Sequence, residues 1–164
     1  MELPHATVPP APPSARRATP GDVPAAAALH RAALHDVQSK RGGPALAVEV
    51  ARTDVDGSLG RDIDNPDRLV LLGCLGDEPV GLAVARLHVP AAAVLTELWV
   101  LPAARGVGVG HTLLEAVLAA AREAGCTGLD ARALPGDRAT KNFFEDHSMV
   151  ARAITVHTGF GGPP

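Results

Sequence analysis

Val100-Leu101-Pro102-Ala103-Ala104-Arg105-Gly106-Val107-Gly108-Val109-Gly110 carries an apolar run through a short loop into three glycines that open an amphipathic helix. Backbone N–H groups in the first turn of a helix lack an intrahelical partner, and the macrodipole adds partial positive charge there. An anion docks readily on such an end. Glycines at 106, 108 and 110 leave no side chain between those donors and a ligand, and they permit positive φ. Arg105 adds a cationic fork, so the stretch is expected to cradle a diphosphate.

The residues before it, Val94-Leu95-Thr96-Glu97-Leu98-Trp99-Val100, are β-branched and aromatic with one Glu among apolar neighbours, which predicts a strand. After it, Val109, Leu113, Leu114, Val117, Leu118 and Ala121 recur at helical spacing. Glu115, Arg122 and Glu123 take the other side, and Gly125 is a stop.

Three phosphate-binding patterns compete for these letters. A Walker loop needs Gly-Lys-Ser/Thr, and here Gly110 is followed by His111-Thr112. A dinucleotide fingerprint needs a glycine five residues after its first, where His111 or Leu113 stands. The third pattern, Arg/Gln-x-x-Gly-x-Gly/Ala after a strand ending Val-x-Pro, fits Arg105, Gly108 and Gly110 with Val100 and Pro102 in place. On these residues the chain resembles the GNAT superfamily of acyl-CoA-dependent N-acetyltransferases, from about Arg16 to Phe160.

Composition and length bound the architecture. With 164 residues the length suits one domain, and 46% hydrophobic residues suffice for a core. Fifteen basic and 18 acidic residues give a net charge of −3 without a Lys/Arg tract, so neither nucleic acid nor an anionic membrane is an expected partner. Cys74 and Cys126 lack C-x-x-C spacing and read as buried reduced thiols. No secretory n-region opens the chain, and no apolar run approaches the ~20 residues of a membrane span. The expected location is therefore cytoplasmic.

Residues 1–14 are proline-rich and read as a flexible tail, leaving 15–164 as one domain, which the resemblance implies is a GNAT acetyltransferase domain. Ala15 to Thr19 predicts a first strand, Asp22 a cap, and Val23 to Gln38 a helix. A second helix is expected over residues 44–53, where Ala-Val-Glu-Val also suits a strand. Asp54, Asp56, Gly57, Asp62, Asp64 and Asp67 read as a solvated loop, because a calcium-loop register would place Arg52 at the first ligand and Ile63 at the last. No metal site is expected.

Leu69 to Leu75 and Val80 to His88 predict a hairpin, followed by strands at 93–100 and 127–133, a helix at 137–146 and one or two strands over 149–158. The resemblance then implies an α/β (α+β) GNAT fold. It has a mixed central sheet of six or seven strands with about four helices, splayed between the fourth and fifth strands.

It also implies acetyl-CoA as acyl donor. Leu98, Trp99 and Val100 would meet the pantetheine arm, while Arg105, Gly106, Val107, Gly108, Val109, Gly110 and His111 hold the pyrophosphate. The acceptor is a primary amine of a small molecule or peptide. Glu97 is the expected general base, and Asp130 a reserve carboxylate. Lone His30, His35 and His157 read as packing or surface residues.

Many members carry Asn-x-x-Ala-x-x-Phe/Leu-Tyr-Glu-x-x-Gly-Phe, with the Tyr hydroxyl near the sulfur. Here the motif aligns with Asp137 through Met149, so Asp137 takes the Asn position and Asn142 lies within the cofactor-binding helix. Phe144 replaces the Tyr, and Ser148-Met149 replaces Gly-Phe. The chain contains no tyrosine, so no tyrosine acid is available. A noncatalytic acyl-CoA-binding or regulatory module is the alternative that Phe144 favours. Dimers are common in the superfamily, so the resemblance allows a homodimer, while no motif of the sequence sets the oligomeric state.

Overall fold

The computed structural model describes residues 11–158 and 160. Two compact units divide the chain, one ending at Arg132 and the other beginning at Ala133. The larger is built on a five-stranded sheet in the order β1-β2-β3-β4-β5, comprising Pro13–Arg17, Arg68–Leu75, Glu78–Arg86, Ala93–Val100 and Leu129–Asp130. The first four strands are antiparallel neighbours and β5 runs parallel to β4. Helices α1 (Val23–Gln38), α2 (Gly43–Val50) and α3 (Val55–Asp64) precede the hairpin, and α4 (Val109–Glu123) follows β4.

Period-two alternation divides the sheet into two faces. Val70, Leu72 and Cys74 of β2 and Leu82 and Val84 of β3 pack with Ala26, Ala27 and Leu29 of α1 and Leu59 of α3. On the opposite face, α4 presses Val109 and Leu113 onto β2 and β3. A Cβ added at Gly73 would stand 2.7 Å from Val109 Cγ1 and 2.9 Å from Leu113 Cδ1. Those two apolar side chains therefore sit on bare backbone, which holds the start of α4 close to the sheet.

Several expectations need correction. Among the described residues the sheet has five strands rather than six or seven, and there are five α-helices where about four were expected. The expected strands over 149–158 do not form: these residues have no regular structure, and Val150, Ile154 and Val156 are exposed. A strand needs a ladder partner, and none of the described strands pairs with this segment. The strand expected over 127–133 shrinks to Leu129–Asp130 for the same reason, since only Ala93 and Val94 pair with it.

The acidic stretch read as a loop is instead α3. Asp54 caps it by accepting the Gly57 N–H at 3.0 Å, while Val55, Leu59 and Ile63 face the core four residues apart. Glycines at 57 and 60 lower helix propensity and hid that spacing. Gly57 has its own reason, since a Cβ there would lie 2.1 Å from Asp54 Oδ2.

Asp22 does not cap α1 through its side chain. Its carboxylate takes both Arg16 guanidinium nitrogens at 2.7 and 2.8 Å and the Thr19 N–H at 2.8 Å, closing a 3-10 turn over Pro20–Asp22. The Arg16 hydrogen bonds, with those from Thr19, hold that carboxyl well below the usual range. β1 begins at Pro13, two residues inside the segment read as tail, and the tail's first ten residues lie outside the described ones. Both cysteines are free, Cys74 buried and Cys126 half-buried. Among the described residues, no helix is long and apolar enough to cross a membrane.

Candidate active site

The site is organised by an irregularity in β4. Ala85 pairs with Leu95 and Val84 with Glu97, so Thr96 has no opposite residue and forms a β-bulge. Its hydroxyl donates to the Val84 carbonyl at 3.0 Å. Strict alternation would put Ala93, Leu95, Glu97 and Trp99 on one face. The extra residue instead turns Glu97 and Trp99 toward α1, opposite Val84 and Leu82, and leaves Leu98 and Val100 on the α4 face.

On that α1 face Glu97 meets His30. The imidazole is fully buried, and its Nδ1 lies within hydrogen-bond distance of both carboxylate oxygens, at 3.0 Å from Oε1 and 2.9 Å from Oε2. Glu97 is itself mostly covered, with 9% of its side chain exposed. His30 lies on the buried stripe of α1 with Ala26, Ala27, Leu29 and Ala33, and a polar residue on an apolar stripe was the available signal that it has a partner. His35 and His157, by contrast, are exposed.

The same bulge sets the direction of the main chain. Leu101 N–H bonds to the Val80 carbonyl at 2.8 Å, so residues 101, 99 and 97 direct their peptide groups toward β3. Leu98 and Val100 point theirs the other way, to the edge where β5 stops after Val94. β4 thus begins as a paired strand and ends with an open edge. Asp130, opposite Val94, lies at the paired end.

Beyond Val100 a 3-10 turn over Pro102–Ala104 leads to the glycines. Gly106 and Gly108 have φ of +80° and +95°, a region that disfavours any other residue, and Gly108 is the N-cap of α4. A Cβ at Gly106 would meet nothing within 4 Å, so this backbone is bare. The first helical hydrogen bond runs from Thr112 N–H to the Gly108 carbonyl at 3.0 Å, and the amides of Val109 and Gly110 precede it. Val107 and His111 are exposed beside them.

Arg105 is held back against β4. Its Nε donates to the Val100 carbonyl at 2.9 Å, one Nη to Asp36 at 3.0 Å, and its guanidinium carbon lies 5.6 Å from the centre of the Trp99 ring. Trp99 Nε1–H also donates to Asp36, at 2.9 Å. The Trp99 hydrogen bond, followed by that of Arg105, holds the Asp36 carboxyl below its ordinary value. Asp36, not singled out in the sequence, therefore ties the last turn of α1 to β4 and the glycine loop.

The smaller unit holds the remaining expected residues. Helix α5 (Arg138–Asp146) is capped by Asp137, which accepts the Thr140 N–H at 3.0 Å and its hydroxyl at 2.9 Å. Asn142 is exposed on it. Phe144 stands edge-on to Phe143, with ring centres 5.5 Å apart. Ser148 has φ of +61°, and the Met149 N–H to Phe144 carbonyl and Ser148 N–H to Glu145 carbonyl bonds complete a Schellman motif. The turn that the family motif builds with glycine is thus present, built with serine.

Several solved structures share this fold. An aminoglycoside acetyltransferase from an uncultured soil metagenomic sample, in complex with sisomicin, is 18% identical with a TM-score of 0.70, over 92% of this chain and 97% of that one. AAC(6')-Iy in complex with the bisubstrate analogue CoA-S-monomethyl-acetylneamine is 14% identical with a TM-score of 0.69, over 90% and 98%. The protein BH1408 from Bacillus halodurans, in a mutant form, is 17% identical with a TM-score of 0.72, over 89% and 98%. A comparison with curated proteins finds no match. The sequence profile of the acetyltransferase (GNAT) family matches residues 27–149, three quarters of the chain, and the chain belongs to that family.

Proposed function

We propose that this acetyltransferase moves an acetyl group from acetyl-CoA to a primary amine of a small molecule or peptide by direct attack. The observation that carries this is the sequence of directions along β4. Glu97 faces α1, Leu98 and Val100 offer main-chain groups to the open edge, and bare glycine backbone follows at the start of α4. The edge amides suit a peptide-like pantetheine, which takes the place of the missing strand. Gly106 through His111 suit the pyrophosphate. Arg105, bound to Asp36 and Val100, shapes this loop and keeps its remaining donors for a phosphate oxygen.

An alkyl ammonium with an ordinary pKa near ~10.4 must lose a proton before it attacks. Glu97 accepts that proton, and the nitrogen lone pair forms the C–N bond at the thioester carbon. The Val100 N–H faces the developing oxyanion. The C–S bond then breaks, the nitrogen gives up its second proton to solvent to become the neutral amide, and the thiolate, with a thiol-like pKa near ~8.5, takes a proton from solvent because no tyrosine is present. Phe144 is what favours the second reading, a noncatalytic acyl-CoA-binding module.

Thiol release from acetyl-CoA, followed across amines, amino acids, aminoglycosides and peptide N-termini, separates the two. Turnover on at least one amine is expected, and Glu97→Gln should lower kcat by about 100- to 10,000-fold while acetyl-CoA still stabilises the protein thermally. Binding of acetyl-CoA without turnover of any amine supports the binding module, and full activity in Glu97→Gln removes Glu97 as the base.

A further inference from the structure

We propose that His30 is a positioning residue for this reaction, holding the Glu97 carboxylate in one orientation through its Nδ1–H. This rests on the reading of Glu97 as the base. A glutamate has three side-chain torsions, and a base that wanders by ~1 Å loses on the order of 100-fold in rate. Here a single ring N–H bridges both oxygens, at 3.0 and 2.9 Å, which fixes the plane of the carboxylate as well as its place. A carboxylate has further lone pairs, and those turned away from His30 stay available to an ammonium.

The burial of His30 argues against a packing role. Its ring is fully buried, yet Nε2 has no hydrogen-bond partner among the described residues, on a stripe otherwise made of Ala26, Ala27, Leu29 and Ala33. A leucine would fill a similar volume without burying a polar atom. What only a ring nitrogen supplies there is the donor toward β4. The carboxylate also dictates the tautomer: with Glu97 ionised, Nδ1 must carry a proton. Since the imidazole is shut off from solvent, His30 acts through Glu97 and not on the substrate.

Two variants and one spectrum test this. His30→Leu should lower kcat about 100-fold with KM for acetyl-CoA unchanged. His30→Asn, whose amide N–H branches from Cγ as Nδ1 does, should recover most of that loss. Wild-type kcat in a folded His30→Leu, or an Asn variant as impaired as the Leu variant, overturns the proposal. Should His30→Leu fail to fold, the ¹⁵N spectrum of histidine-labelled wild-type protein decides: a proton on His30 Nδ1 is expected, and protonation on Nε2 alone overturns the proposal. Glu97→Gln keeps the two ideas apart. If it stays active the base reading fails whatever His30 does, and if it is inactive while His30→Leu is not, only the positioning role fails.

Discussion

On the α4 side of β4, Ala93, Leu95 and Val100 are buried, and α4 itself sets Leu113 and Val109 on the glycine backbone of β2 and β3. On the α1 side the same strand presents Glu97 and Trp99, which meet His30 and Asp36 through hydrogen bonds of 2.9 to 3.0 Å. At β4 one face is stabilised by excluded water and close packing alone, while the other adds to the apolar core of Leu72, Leu82 and Val84 directional polar pairs whose geometry is set by a single extra residue, Thr96. The division separates holding the sheet together from aiming groups at a substrate. Damage to the first should cost stability, and damage to the second should cost rate.

Leu113→Ala is the strongest way to break that comparison. The side chain is fully buried, and its neighbours at Gly73 and Gly81 are backbone, which cannot relax into the space as side chains do. A loss of about 3–5 kcal/mol in unfolding free energy is expected, at the high end for a leucine truncation. At saturating acetyl-CoA, kcat per folded molecule should stay near wild type, because Glu97 and His30 lie on the other face of the sheet. Urea unfolding combined with kinetics well below the new midpoint checks both halves. A small stability loss with a large fall in kcat would reverse the assignment of roles to the two faces.

How far each region could be read from its letters follows the same physics. The glycine loop was legible because a helix start is a local matter: Gly106, Gly108 and the apolar spacing of α4 occupy consecutive residues, and all appear as expected. The pairing of His30 with Glu97 spans 67 positions and turns on a bulge, which exists only relative to β3. No period of two along β4 contains it. The short β5 was invisible for a related reason, since a strand's length is set by its neighbour's direction and β4 leaves β5 after Val94. Ser148 departs in letter from the family's glycine yet adopts the same left-handed turn, at a cost on the order of 1 kcal/mol. Chemistry carried by backbone survives a changed letter, whereas Phe144 in place of tyrosine removes a hydroxyl that no fold restores.

Trp99→Phe is the gentler probe, and it sharpens the division because Trp99 lies on the polar face but donates to Asp36, whereas Glu97 accepts from His30. The change keeps an aromatic ring beneath Arg105 and removes the Nε1–H that Asp36 accepts at 2.9 Å. Asp36 retains Arg105, so the expected destabilisation is only about 1–2 kcal/mol, moderated by partial exposure of the pair. Its pH dependence carries the sign of a depressed carboxyl. Asp36 titrates near 3.8 when unpaired and lower in the folded protein, mainly because of the Trp99 hydrogen bond. The stabilisation is therefore present above 3.8 and disappears as pH falls through the lower folded value. The difference between wild type and Trp99→Phe should be constant from neutral pH down to about 4 and shrink in stronger acid. A difference that persists undiminished in strong acid would mean that the indole contributes by packing, and that Trp99 is held to α1 by the same forces that hold α4 to the sheet.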